Sequence, residues 1–266
     1  MNRSICLSAA FSLGLCTASY AQITGKVALE GTPPKMAPIT AMAAIPQCAQ
    51  IHKLPVIEDT VIAGPNGELA NVIVYINEKK PGDLDGPRID KSAILDQVGC
   101  MYEPHILAVQ VGQLVSLRSS DPFLHNARSV AVANKPFNIV QFNVSEKKLE
   151  PFTKEETFQI KCDVHPWMKA VIRVFDHPYF ATTGTDGKFS INTRNLKDGT
   201  YVVLAWHEIY RDSQPQTIEV KSGKATKDLD FTFKAVAEAL AAPEKQIHVA
   251  SVANTSTRRH EKSIAN

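Results

Sequence analysis

The seven residues Cys162-Asp163-Val164-His165-Pro166-Trp167-Met168 set a thiol, an imidazole and a thioether at three-residue intervals. Soft sulfur with imidazole favours copper, and two histidines, one cysteine and a weak axial methionine form the donor set of electron-transfer copper. A structural zinc site needs four closed ligands, and no second C-x-x-C or H-x-H pair lies near this stretch. The second imidazole must come from elsewhere, and the best candidate is His125 in Ser120-Asp121-Pro122-Phe123-Leu124-His125-Asn126. Alone, Met168 reads as core packing and His125 as a turn residue; the shared spacing is what makes a set. The candidate metal ligands are therefore His125, Cys162, His165 and Met168, for one copper ion, with no catalytic residue and no other cofactor.

Such a set has to be held by rigid elements. Short runs dominate the chain: Val72-Ile73-Val74-Tyr75-Ile76, Leu114-Val115-Ser116-Leu117, Thr157-Phe158-Gln159-Ile160, Ala170-Val171-Ile172-Arg173-Val174 and Tyr201-Val202-Val203-Leu204. Each has strand length and is bounded by Gly, Pro, Asn or Asp. Long helical periodicity is absent before Phe233, so the ordered body is expected to be all β, stacked as sandwiches. The metal-bearing segment joins two of these strands. Because strand side chains alternate, Phe158, Ile160 and Cys162 share one face, and the sulfur should emerge from the core side at the end of the sandwich. An extended, proline-containing loop is expected around residues 32 to 47, and His125 is expected on a turn after a strand.

From Val111 to Met168 the chain resembles the cupredoxins, with Val111-Gly112-x-x-Val115 leading a strand, then Ser119-x-Asp121, Pro122-x-x-His125-Asn126, and finally C-x-x-H-x-x-M. Amicyanin and pseudoazurin are similar, the short ligand loop being amicyanin-like with Pro166 and Trp167 between His and Met. The resemblance implies a Greek-key sandwich holding a type 1 (blue) copper ion, with His125, Cys162 and His165 as strong ligands and Met168 as the axial one. It also implies that Asn126 braces the cysteine loop, and that His165 is the ligand nearest solvent, beside an apolar contact patch of Pro166 and Trp167.

A second resemblance covers Thr183-Gly184-Thr185-Asp186-Gly187-Lys188-Phe189-Ser190-Ile191 and Asp198-Gly199-Thr200-Tyr201-Val202-Val203, which is similar to the carboxypeptidase regulatory-like sandwich, with D-G turns fixing a hairpin. Its missing front half fits Gly25-Lys26-Val27 and residues 71–76, so the copper module is expected to interrupt a split sandwich, three modules in series being the alternative. The expected organisation is a signal peptide at 1–21, an N-terminal β segment at 22–87, the copper module at 88–176, the second sandwich at 177–234 and a disordered tail at 235–266. The module order also resembles exported methylamine-utilisation-like proteins.

The chain's start supports export: Arg3, an apolar stretch from Ile5 to about Ala18, and Ser19-Tyr20-Ala21 read as a signal cleaved near Ala21. Leu15 disfavours lipidation at Cys16. No stretch reaches the about twenty apolar residues of a membrane-spanning helix. A net charge of +2 without a basic stripe argues against a nucleic-acid partner. Cleavage would leave Cys48, Cys100 and Cys162 in an oxidising compartment. Pairing Cys48 with Cys100 reserves Cys162 for a metal; the alternative is an unpaired buried thiol. His105, His177 and His207 are expected to be structural, hydrogen-bonded residues, though His105 or His207 with Glu208 could serve a further metal. The expectation is a periplasmic electron carrier meeting a periplasmic redox protein; the alternative is a copper-handling protein that stores, delivers or senses the ion. A nitrite-reductase or multicopper-oxidase enzyme would carry a histidine next to the ligand cysteine, and Lys161 and Asp163 stand there instead.

Overall fold

The computed structural model describes residues 21–77 and 84–235. The leader expected at 1–21 and the tail expected at 235–266 lie outside these, save Ala21 and Ala235.

The described residues are almost wholly β, arranged in four sheets. Two form the sandwich that carries the candidate ligands. Its five-stranded sheet runs Ile106–Gln110, Lys169–Phe175, Glu156–Lys161, His125–Ser129, Asn138–Gln141. Its four-stranded sheet runs Met101–Glu103, Ala93–Val98, Val115–Ser119, Ser145–Lys148. Leu95, Leu117, Val109, Phe158, Ile160 and Ile172 fill the space between them. The alternation expected from Phe158 to Cys162 is present, with Phe158, Ile160 and Cys162 all buried.

The other two sheets form a second sandwich whose strands come from both sides of the first. Gln22–Glu30 lies between Lys188–Asn192 and Phe231–Lys234. Ile73–Asn77 lies between Phe180–Thr182 and Gly199–His207, with Gln216–Lys221 and Lys224–Ala225 beyond. Val72, Val74 and Ile76 enter this sandwich's own core. Ile73 and Tyr75, on the opposite face, pack with Trp206 against Ile106, Val171 and Phe175 of the first sandwich. That is why Val72 to Ile76 is an unbroken apolar run: a strand covered on both faces has no polar side. Arg173 closes the seam, its guanidinium carbon 4.2 Å from the Tyr75 ring centroid.

The stretch expected as an extended loop around residues 32 to 47 instead holds a 3-10 turn, Thr40–Ala44, and the start of a short helix, Pro46–Ile51. Pro46 sits at the head of that helix, where its missing N–H costs nothing. The helix has six residues, too few for a hydrophobic period to be visible. Its Cys48, with Met42 before it, is buried in the core of the ligand-bearing sandwich.

Candidate metal centre

Three antiparallel strands set the candidate ligands at one end of the five-stranded sheet. His125 opens the strand His125–Ser129 rather than standing on the turn before it. Cys162 follows the adjacent strand Glu156–Lys161, with Lys161 opposite Arg128. The segment with His165 and Met168 turns back into Lys169–Phe175, Lys161 facing Lys169. Two backbone hydrogen bonds close this loop: Met168 N donates to His165 O at 2.9 Å and Cys162 N to Met168 O at 3.2 Å.

His125, Cys162 and His165 are buried, and their donor atoms all lie within 4.8 Å of one another. His125 Nδ1 is 3.0 Å from His165 Nδ1, and the Cys162 sulfur is 3.8 Å from that same His165 nitrogen. Met168 is fully buried in the same cluster of side chains as Cys162. Two imidazole nitrogens and a sulfur turned towards one small volume are a donor set for a single soft or borderline cation, and they suit copper.

Charge is arranged to favour that use. Burial opposes ionisation of the Cys162 thiol, but hydrogen bonds from His125 and His165 outweigh it and bring the thiol down to about 6. Burial likewise disfavours a charged His125, yet the hydrogen bonds of Asp121 and Cys162 raise its affinity for a proton. The second nitrogen of His125, Nε2, lies 2.9 Å from Asp121 Oδ2. Asp121 in turn accepts the backbone N–H groups of Gly99 and Cys100, both at 2.9 Å.

Asn126 joins the two ligand elements. Its Oδ1 accepts the Asp163 N–H at 2.7 Å and lies 3.4 Å from the Cys162 sulfur, while its Nδ2 donates to Asp163 and Asn138. Arg128 Nε donates to the other oxygen of Asp163 at 2.7 Å.

His165 is buried beside the Cys48–Cys100 disulfide: both sulfurs and a His165 nitrogen fall within 4.8 Å of one another. Trp167 is half-buried, and its indole N–H donates to Cys100 O at 2.9 Å. Gly99 and Cys100 thus form a hub. They are the central residues of the hairpin between Ala93–Val98 and Met101–Glu103, both with positive φ, 64° and 55°, as a two-residue turn of this kind requires.

Comparison with known proteins adds a fold likeness confined to part of the chain. No protein-family model and no curated protein matches. Similar solved structures include amicyanins, a purple cupredoxin and a copper-containing nitrite reductase. A Cu(I) amicyanin variant aligns with 32% of this chain and 82% of its own, at 23% identity and TM-score 0.29. A purple cupredoxin from Nitrosopumilus maritimus aligns with 32% of this chain and all of its own, at 24% identity and TM-score 0.27. A Cu-containing nitrite reductase from Thermus scotoductus aligns with 38% of this chain at 23% identity and TM-score 0.29, and the chain spans only 25% of it. Overlaps this small leave the function to the geometry.

His105, His177 and His207 are engaged by other partners. His105 is buried between Asp59 and Glu208: its Nε2 contacts Glu208, and its Nδ1 is 3.2 Å from Asp59 Oδ1, at ion-pair distance though poorly aligned for a hydrogen bond. The carboxylates grip opposite sides of the ring, so they hold an imidazolium rather than converging on an ion. His207 lies tilted against Tyr210 and Phe233 and accepts the Ile209 N–H; His177 accepts that of Tyr179. Burial pulls both down to about 4. Sequence reasoning missed Asp121 as the partner of His125, although an acidic residue four positions before a candidate ligand was a signal.

Proposed function

We propose that this chain is an exported blue-copper protein that carries single electrons to a redox partner. His125, Cys162 and His165 are its strong ligands and Met168 its weak axial one. The observation that carries this reading is the convergence of the His125, Cys162 and His165 donor atoms in one buried pocket. Bound copper would supply a one-electron couple there. The chain's residues do the rest. Asp121 takes the Nε2 hydrogen of His125 and leaves the Nδ1 lone pair for the ion. Asn126 and the closed backbone of the loop fix Cys162, so that little needs to rearrange when the charge changes. Met168 and the covering disulfide exclude water.

An enzymatic role is disfavoured by the neighbours of Cys162: Asp163 is engaged by Asn126, Arg128 and Asn138, and Lys161 is no metal ligand. A disulfide fits an exported protein working in the periplasm. The partner would meet exposed Leu124, Phe142 and Val164, which the strand ends bring to the metal end of the sandwich. Such electron-transfer encounters are typically small and weak. The second sandwich we read as a carboxypeptidase regulatory-like module split by the copper module.

Voltammetry of the copper-loaded chain tests the carrier role. One reversible wave, with the metal retained through repeated cycles, is the expected result. Ready loss of Cu(I) to a competing chelator would move the assignment to copper storage or delivery.

A further inference from the structure

The Cys48–Cys100 disulfide lies beside the candidate ligands. Its two sulfurs and a nitrogen of His165 fall within 4.8 Å of one another, and the Cys100 sulfur, an Asp121 oxygen and a nitrogen of His125 form a second such group. All these residues are buried. Broken, the disulfide becomes two thiols beside an imidazole, a donor set softer than the first and sharing its wall.

We propose that Cys48 and Cys100, when reduced, form a second Cu(I)-binding site beside His165, and that the disulfide closes this site under oxidising conditions. The inference goes beyond the electron-carrier reading. Paired thiolates prefer Cu(I) over harder ions, and each thiol gives up its proton as it binds. Reduction by an exported dithiol moves two electrons and two protons to the Cys48–Cys100 bond, which opens to two thiols while the reductant closes its own disulfide. Cys48 lies on a six-residue helix with no side-chain cap at its head, in a segment held to the sandwich by the disulfide, by buried Met42 with partly buried Ile39, Ile45 and Val56, and by a 2.8 Å contact of His52 Nε2 with Gly99 O. Ile51 and Leu54 on the same segment are exposed. The Cys100 side is fixed by the turn whose N–H groups Asp121 holds.

The test is an anaerobic Cu(I) titration of the full mature chain against a colorimetric Cu(I) chelator, before and after reduction with a phosphine. Reduction should add about one tightly bound equivalent. With Cys48→Ser and Cys100→Ser together, reduction should add none. Losing a disulfide can impair folding, so Cys162→Ser gives an independent arm: with its disulfide reduced it should still gain that equivalent. An unchanged count in the reduced wild-type chain overturns the proposal, as does a gain that survives loss of both cysteines or disappears in Cys162→Ser. Failure of the electron-carrier reading would show differently, as a chain with its disulfide intact that gains no intense colour with Cu(II).

Discussion

His125 Nε2 lies 2.9 Å from Asp121 Oδ2, so the imidazole is gripped on the side away from His165 and its Nδ1 is turned to the pocket. A carboxylate behind a ligating histidine fixes its tautomer and raises its basicity. Asp121 is anchored by Gly99 and Cys100, so it joins His125 to the disulfide-bearing turn.

Asp121→Asn keeps an acceptor for the ring but removes the charge. Copper affinity should fall about 10–100-fold, as for other partners of ligating histidines, while the visible colour of the loaded protein persists. Competition with a chelator of known affinity measures it; an unchanged affinity would reduce Asp121 to a brace for the turn.

In the metal-free chain, Cys162 should be largely thiolate at pH 7 because its thiol is brought down to about 6. Thiolate absorbance should then disappear as pH falls through about 6, and Cys162→Ser should abolish the transition. Copper affinity should weaken over the same interval as protons compete for the sulfur.

His105 supplies a pH effect of opposite sense. Its burial opposes charge, but Asp59 and Glu208 raise it from its ordinary 6.5 to about 10. A raised histidine stabilises the fold fully below 6.5, and that stabilisation is lost as pH rises through about 10. His105→Gln should cost about 3–5 kcal/mol at pH 6, by stranding the buried Glu208 carboxylate, with partly exposed Asp59 also losing its partner. Thermal unfolding from pH 6 to above 10 should show the wild-type advantage shrinking.

Trp206 is buried in the seam between the sandwiches, under the guanidinium of Arg173 at 5.4 Å from its ring centroid. Trp206→Ala should cost about 3–5 kcal/mol of stability, the usual penalty for emptying a large buried site. Copper spectra of the folded variant should stay unchanged, since the ligands lie at one end of the sheet. Denaturant melts and spectra on the same sample separate the two effects.

Much of this was legible from local pattern. Strands announced themselves by apolar runs between turn residues, and Phe158, Ile160 and Cys162 keep their alternation in the folded chain. Setting Cys162 aside for a metal left Cys48 and Cys100 as the economical pair, open from sequence alone, and the structure joins them. What escaped was set by contacts between distant segments. The cover over His165 comes from a helix too short to show a period, and its disulfide spans 52 residues. Asp59, His105 and Glu208 meet from three separate stretches, none informative alone. Asp121 before Pro122 reads as an ordinary turn residue until the fold sets its carboxylate against His125.

Central to the account is a bond between copper and the Cys162 sulfur, flanked by His125 and His165. Visible absorption and paramagnetic resonance spectra of the Cu(II)-loaded chain, disulfide intact, test it most directly. An intense charge-transfer band that vanishes in Cys162→Ser is the predicted result. A wild-type chain that stays colourless with Cu(II) and takes up zinc in its place would contradict it.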